Sequence, residues 1–235
     1  MIVSHEHRFI FVRNRKTAST SVEILLSRYV GPGDVVTALC ERDEGLRRRY
    51  GGLGPQNHRW PGWPAAGPTP PGPGPGIRFY NHMPVAEIRA LVGERVWRSY
   101  FTFCFERNPW DKVVSLYYHR YRQAPRPGLA QFVRSAEASD AYNWPLYTER
   151  DQPAVDVVGK YENLATEFPQ ILRRLGLPTS EALPRAKAHF RPPVEQGEVL
   201  DAESVSRVAE LYAKEIEYHG YQAPGPRRTV IGAGR

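Results

Sequence analysis

The chain has 235 residues, 41% of them hydrophobic and 24% charged, which is enough apolar matter for a core and argues against global disorder. No apolar run approaches the roughly 20 residues that span a bilayer, and the opening MIVSHEHRFIFVRN does not read as a signal peptide. Two cysteines, Cys40 and Cys104, cannot build a disulfide framework or a four-ligand zinc site. The expectation is a single soluble, cytoplasmic domain over 1–235. Its charge is 32 − 25 = +7, and since only five of the 32 basic residues are lysines, 27 are arginines. Arginine excess suits phosphate and sulfate, because the guanidinium fork offers such groups two parallel hydrogen bonds. A GC-rich genome produces the same bias, so the balance suggests an anionic partner without proving one.

Three strand-to-helix passages follow along the chain. Phe9-Ile10-Phe11-Val12 is a short apolar run consistent with a buried strand, closed by the charged Arg13 and Arg15. After a polar turn, Val22, Leu25, Leu26 and Tyr29 recur at helical spacing, with Gly31 as a stop. Residues 51–76 hold eight Gly and eight Pro in 26 positions, with Trp60 and Trp63 embedded; they predict a flexible or polyproline-like surface insertion. That insertion is either a tolerated linker or a lid over an acceptor site. The second passage is the aromatic strand Tyr100–Phe105, which runs into Glu106-Arg107-Asn108-Pro109. Asn108 is a natural N-cap and Pro109 suits the first helical position, so a helix is predicted from there. The third is Asp156–Tyr161, leading to a helix that ends near Leu175 with Gly176 as its cap. A last helix starts after Asp201, buries Val205, Val208, Tyr212 and Ile216, and stops at Gly220. Strands alternating with helices predict an α/β fold, a central parallel sheet flanked by helices.

The chemistry concentrates in the turns after the first two strands. Arg15-Lys16-Thr17-Ala18-Ser19-Thr20-Ser21 sets a lysine, hydroxyls and backbone N–H groups at a helix N-terminus, a ready anion site. GxxxxGK[ST] is absent, which disfavours ordinary nucleoside triphosphate chemistry. Arg107 ends the second strand, where open α/β sheets bind ligands, and Ser115 lies two turns into the following helix on the stripe of Asn108 and Asp111. Together they suggest a second anion clamp. The bland alternative makes Arg107 a surface ion-pair residue and Ser115 a helix filler.

These residues resemble a known family. Lys16-Thr17-Ala18-Ser19-Thr20-Ser21 is similar to the 5′-phosphosulfate loop of sulfotransferases that use 3′-phosphoadenosine 5′-phosphosulfate (PAPS), and most of all to that of heparan sulfate 2-O-sulfotransferase. Arg107-Asn108-Pro109, with Ser115 eight residues after the arginine, resembles the family's 3′-phosphate motif. Tyr161-Glu162-Asn163-Leu164 resembles its YEDL segment near the adenine, with Asn163 replacing the usual Asp. The resemblance implies a P-loop-like nucleotide-binding fold, PAPS as donor and no metal. It gives Arg15 to Ser21, Arg107, Ser115 and Tyr161 to the nucleotide, and Lys16 to the bridging oxygen where charge builds as the nucleotide leaves. It also suggests His82, in Phe79-Tyr80-Asn81-His82-Met83-Pro84, as the base for the acceptor proton. That assignment suits a strand over 78–82 ending beside the Lys16 loop. Glu106 and Asp111 are the next candidates, followed by His58, and Arg191 could close over the nucleotide.

The rival readings are an atypical nucleotide-dependent kinase, which would need ATP and magnesium, and a basic nucleic-acid-binding module. The second requires aromatics interleaved with cations on an exposed face, whereas here most aromatics belong to strands or helix cores. The acceptor is not legible in the sequence: a carbohydrate, a small natural-product alcohol, a phenol and a protein tyrosine all stay open, and the resemblance of the Lys16–Ser21 loop leans toward a carbohydrate or small-molecule hydroxyl. With no anchor visible, unlike the Golgi enzymes of animals, a bacterial cytoplasmic enzyme without membrane or nucleic-acid partner is expected.

Overall fold

The computed structural model describes residues 1–62, 72–184 and 200–225. In chain order the first elements are β1 (Ile2–Ser4), β2 (Phe9–Phe11), α1 (Ser19–Leu26), β3 (Val35–Val36), α2 (Glu41–Arg49), α3 (Val85–Val92), α4 (Glu94–Ser99) and β4 (Phe101–Glu106). Then follow α5 (Pro109–Arg120), α6 (Leu129–Arg134), α7 (Trp144–Tyr147), β5 (Thr148–Glu149), β6 (Gln152–Pro153) and β7 (Val157–Lys160). The last are α8 (Leu164–Arg174), α9 (Ala202–Leu211) and α10 (Ala213–His219). They group into two compact units, Met1–Arg107 with Asn143–Ala186, and Asn108–Tyr142 with Lys187–Arg235. Among the described residues no helix is long and apolar enough to cross a membrane.

The first unit carries a five-stranded sheet in the order β3-β1-β2-β4-β7. Strands β2, β4 and β7 run parallel, but β1 is antiparallel to both β2 and β3. The expected parallel sheet is therefore corrected to a mixed one. The cause is connection length: only residues 5–8 separate β1 from β2, and a parallel crossover needs a dozen or more. Along β4 the side chains alternate, so Phe101, Phe103 and Phe105 share one face. There Phe103 and Phe105 join Phe9 and Phe11 of β2, Leu25 and Leu26 of α1, and Phe168 and Leu172 of α8 in one buried cluster. Ring pairs at 5.3 Å (Phe11–Phe103) and 6.1 Å (Phe105–Phe168) lie within the range where aromatic contact adds to area burial.

Close packing at β7 fixes how the third parallel strand approaches. Gly159 pairs with Phe105 in register, and a methyl group there would lie 2.5 Å from the Phe105 ring and 2.8 Å from a Glu167 carboxylate oxygen. Gly159→Ala is accordingly expected to destabilise the protein by about 1–3 kcal/mol through overpacking, read as a lower melting temperature. An unchanged melting temperature would mean that β7 slides without cost.

The second unit is helical. Asn108 caps α5 as expected, its Oδ1 accepting from the Trp110 and Asp111 N–H groups at 3.1 and 3.5 Å. Trp110, Val113, Leu116 and Tyr117 of α5 pack with Phe132 of α6 and Val208 of α9. The predicted last helix is broken at Tyr212 into α9 and α10. Tyr212 is fully buried and donates its hydroxyl to the Ala138 carbonyl, while Lys112 and Glu215 form an ion pair of two fully buried side chains. The Lys112 ammonium also lies 4.8 Å from the Tyr212 ring centre.

Candidate active site at the ends of the parallel strands

The chain leaves β2 through Arg13 and Asn14 and turns into α1. Asn14 anchors the start of the turn, its side-chain amide donating to the Phe105 carbonyl of the neighbouring strand at 3.0 Å. The Asn14 carbonyl in turn accepts from the Ser19 hydroxyl at 2.8 Å, closing the turn into a loop. Within it Lys16 and Ala18 take left-handed φ values of 63° and 58°. Residues bearing a Cβ adopt that region only when their surroundings impose it, and such strain gathers at functional sites. Ala18 caps α1 but has no side chain to accept from the first-turn N–H groups, and no acidic residue occupies that turn. The positive end of the helix thus faces the loop without a carboxylate of its own.

Arg107, from the end of β4, meets this loop directly. One guanidinium nitrogen donates to the Lys16 carbonyl at 3.2 Å, and the guanidinium carbon lies 4.0 Å from the centre of the Tyr161 ring, just past β7. Three residues of the sequence reading, one from beyond each parallel strand, therefore come together: Lys16, Arg107 and Tyr161. Arg107 is not the surface ion-pair residue of the bland reading, being 9% exposed. Glu106, fully buried, accepts from the Arg107 N–H at 2.8 Å and from the Asn143 amide at 3.2 Å. It thereby ties the end of β4 to Asn143.

Sequence reasoning missed Asn143. Its Oδ1 accepts from the Arg15 N–H at 2.8 Å and its amide donates to the Arg15 carbonyl at 3.0 Å. A side chain 128 residues away thus pairs with the loop as a strand neighbour would. Its signal is faint: a lone asparagine before Trp144-Pro145. Arg13 was missed as well; its guanidinium donates to Thr20 at 2.8 Å, Glu23 at 2.9 Å and Asn81 at 2.9 Å. Thr17, Ser19, Thr20 and Ser21 are all buried, so hydroxyl contacts within the loop account for part of their role.

His82 sits beside the same loop, though not as expected. Residues 78–82 form no strand; Ile77 makes an isolated bridge to Arg59, and the Arg78 and Phe79 N–H groups both donate to the His58 carbonyl. The strand reading over-weighted the aromatic run Phe79-Tyr80. What positions the imidazole is a bond of 3.0 Å between its Nδ1 and the Arg13 carbonyl oxygen. A carbonyl only accepts, so Nδ1 carries the proton and Nε2 the lone pair. Burial, reinforced by the Arg13 and Arg15 charges, holds the His82 pKa well below its ordinary 6.5. The ring is neutral at physiological pH, as a proton acceptor must be.

Ser115 belongs to the second unit, half-buried on α5, while Arg107 ends the first. Trp60 is 48% exposed beneath the Arg78 guanidinium, 5.3 Å from its ring centre; Trp63 and Arg191 fall outside the described residues. The first part of the Gly/Pro segment is tied down rather than loose. Gln56 donates to the Gly31 and Asp34 carbonyls, Asn57 to those of Pro32 and Asp34, and His58 is buried. Among the described residues no group of three or more His, Cys, Asp or Glu could hold a metal ion.

Comparison with known proteins gives one informative relationship. Over 101 residues the chain is 42% identical to an uncharacterized protein of Archaeoglobus fulgidus, a stretch covering 41% of this chain and 84% of that relative. The chain belongs to one family with that archaeal protein, whose name states no activity. No protein-family model and no solved structure matches the chain.

Proposed function

We propose that the protein is a PAPS-dependent sulfotransferase of P-loop-like fold, acting on a carbohydrate or small-molecule hydroxyl. One observation carries the reading: the strained Lys16–Ala18 turn, opening onto the N-terminus of α1, is bonded by Arg107 and lies one cation–aromatic contact from Tyr161. A donor with a sulfated 5′ end, a 3′-phosphate and an adenine needs an anion loop, a second cation and an aromatic surface, and these residue types match those needs in turn. In this reading the loop binds the 5′ end, Arg107 the 3′-phosphate, and Tyr161 lies toward the base.

The reaction follows from the charges. An acceptor oxygen attacks sulfur in line, forming the new S–O bond. The S–O bond to the 5′-phosphate breaks, and its electron pair stays on the bridging oxygen. The Lys16 ammonium stabilises that developing charge, and the acceptor's proton passes to Nε2 of His82. The analogy with phosphoryl transfer is one of positioning and electrostatics.

The product nucleotide tests this. 3′-Phosphoadenosine 5′-phosphate is expected to raise the melting temperature without magnesium, since a ligand at 100 times its Kd adds about 2.7 kcal/mol to the native state. Adenosine monophosphate, lacking the 3′-phosphate, is expected to stabilise much less. Equal stabilisation by the two would remove Arg107 from its role. Stabilisation by ATP only with magnesium would replace the reading with a kinase.

A further inference from the structure

The Arg13 side chain and carbonyl touch both halves of the candidate site at once. We propose that Arg13 is a positioning residue coupling the donor loop to the base, its guanidinium fixing Thr20 and Asn81 while its carbonyl holds the proton on Nδ1 of His82. The role in catalysis rests on the sulfotransferase reading; the control of the imidazole does not.

The geometry begins at α1. Thr20 and Glu23 lie three residues apart on one helical face, and the Arg13 guanidinium spans them, donating to the Thr20 hydroxyl at 2.8 Å and the Glu23 carboxylate at 2.9 Å. Glu23 is fully buried and also receives Arg47 at 2.7 Å, with the Met1 nitrogen at 3.0 Å. Arg13 is itself only 5% exposed. A buried guanidinium held by a carboxylate, a hydroxyl and an amide oxygen has little freedom left, so its backbone is fixed with it.

That rigidity is passed to the histidine twice. The Asn81 Oδ1 accepts from Arg13 at 2.9 Å and from Thr37 at 2.7 Å, and the Asn81 amide donates to the Ala38 carbonyl. Asn81 is therefore pinned immediately before His82. His82 has a φ of 62°, a conformation that a residue with a Cβ keeps only when its neighbours enforce it. The ring then finds the Arg13 carbonyl at 3.0 Å. A histidine nitrogen is committed to one protonation role by the bond its other nitrogen makes. Losing either link frees the ring to rotate and exchange tautomers, and the base loses its direction.

The charges acting on the ring come from Arg13 and Arg15 on the β2 turn; both are positive and, with burial, disfavour the imidazolium, while the Met1 amino group, whose own pKa burial lowers to about 5, adds to them only in its protonated form. Removing Arg13 therefore acts on the protonation equilibrium as well as on orientation. A purely architectural residue would change neither.

The experiment is nitrogen NMR of protein labelled with 15N-histidine, with His82→Gln identifying the resonance. Wild type is expected to show a single neutral tautomer protonated on Nδ1, titrating below the ordinary imidazole range. Asn81→Ala keeps the Arg13–Glu23 pair and, with folding checked by circular dichroism, is expected to give mixed tautomers. Arg13→Gln is expected to give the same mixture together with an upward shift of the titration. The proposal is overturned if Asn81→Ala retains the single Nδ1-protonated ring, whether or not Arg13→Gln folds. It is overturned equally if folded Arg13→Gln titrates as wild type does. The spectra read the ring directly, so a chain that fails to bind 3′-phosphoadenosine 5′-phosphate would lose the sulfotransferase reading without altering this result.

Discussion

Lys16→Ala is expected to lower turnover by about 10²–10³-fold, the loss typical when one preorganised donor to a developing oxyanion is removed. The backbone of the loop tolerates this substitution. The left-handed φ of 63° at Lys16 is as strained for alanine as for lysine, because both carry a Cβ. The bond that joins the loop to Arg107 uses the Lys16 carbonyl, so it survives the loss of the side chain. What disappears is the ammonium. Since its task lies in the transition state, affinity for 3′-phosphoadenosine 5′-phosphate is expected to fall far less than turnover. Single-turnover rates and melting shifts with the nucleotide separate the two effects. Near-normal turnover of Lys16→Ala at saturating substrates would take the lysine out of the mechanism.

Why Lys16 was visible in the sequence, and Arg13 and Asn143 were not, has a physical answer. Local signals carry local structure. Asn108-Pro109 caps α5, Asp201 caps α9 by accepting from the Ser204 N–H at 2.8 Å, and Gly176 and Gly220 take φ values of 70° and 64° at helix ends. Each could be read because cap and helix are neighbours in the chain. Strands β1 and β3 were not legible: Ile2–Ser4 ends on a polar serine and Val35–Val36 is only two residues long, so neither offers a four-residue apolar run like Phe9–Val12. Their pairing is decided by a tight connection and by burial against the rest of the sheet.

The site divides along the same line. The hydroxyl-rich turn after β2 and the arginine ending β4 stand out by composition at predicted strand ends. Asn143 acts across 128 residues on the Arg15 backbone, and no local pattern announces such a bond. Arg13 is the more instructive case. A charged residue after Phe9–Val12 marks where an apolar run stops, yet here it is buried with three side-chain partners. Hydropathy tells where a strand ends, but not whether the cation that ends it faces water or a carboxylate on the next helix.

His82→Ala is expected to lower turnover on an alcohol acceptor by about 10²–10⁴-fold, with nucleotide affinity nearly unchanged. A sugar hydroxyl is far too weak an acid to ionise beforehand, so a base must take the proton as the S–O bond forms. The pH dependence sharpens the test. Burial and the Arg13 and Arg15 charges depress the imidazole pKa, so the acid limb of turnover is expected below the ordinary 6.5 of a histidine, not at it. Stability follows by linkage. Between the depressed folded value and 6.5 the unfolded chain binds a proton that the folded chain does not, so stability falls as pH drops through that window. His82→Ala lacks this proton and is expected to lose less melting temperature on acidification than wild type. A phenolic acceptor, which ionises more readily, should blunt the kinetic effect but leave the melting comparison untouched. Wild-type turnover by His82→Ala on an alcohol would hand the base's role to another group. An acid limb at the ordinary imidazole value would mean that the ring which titrates in turnover is not the half-buried one held by the Arg13 carbonyl.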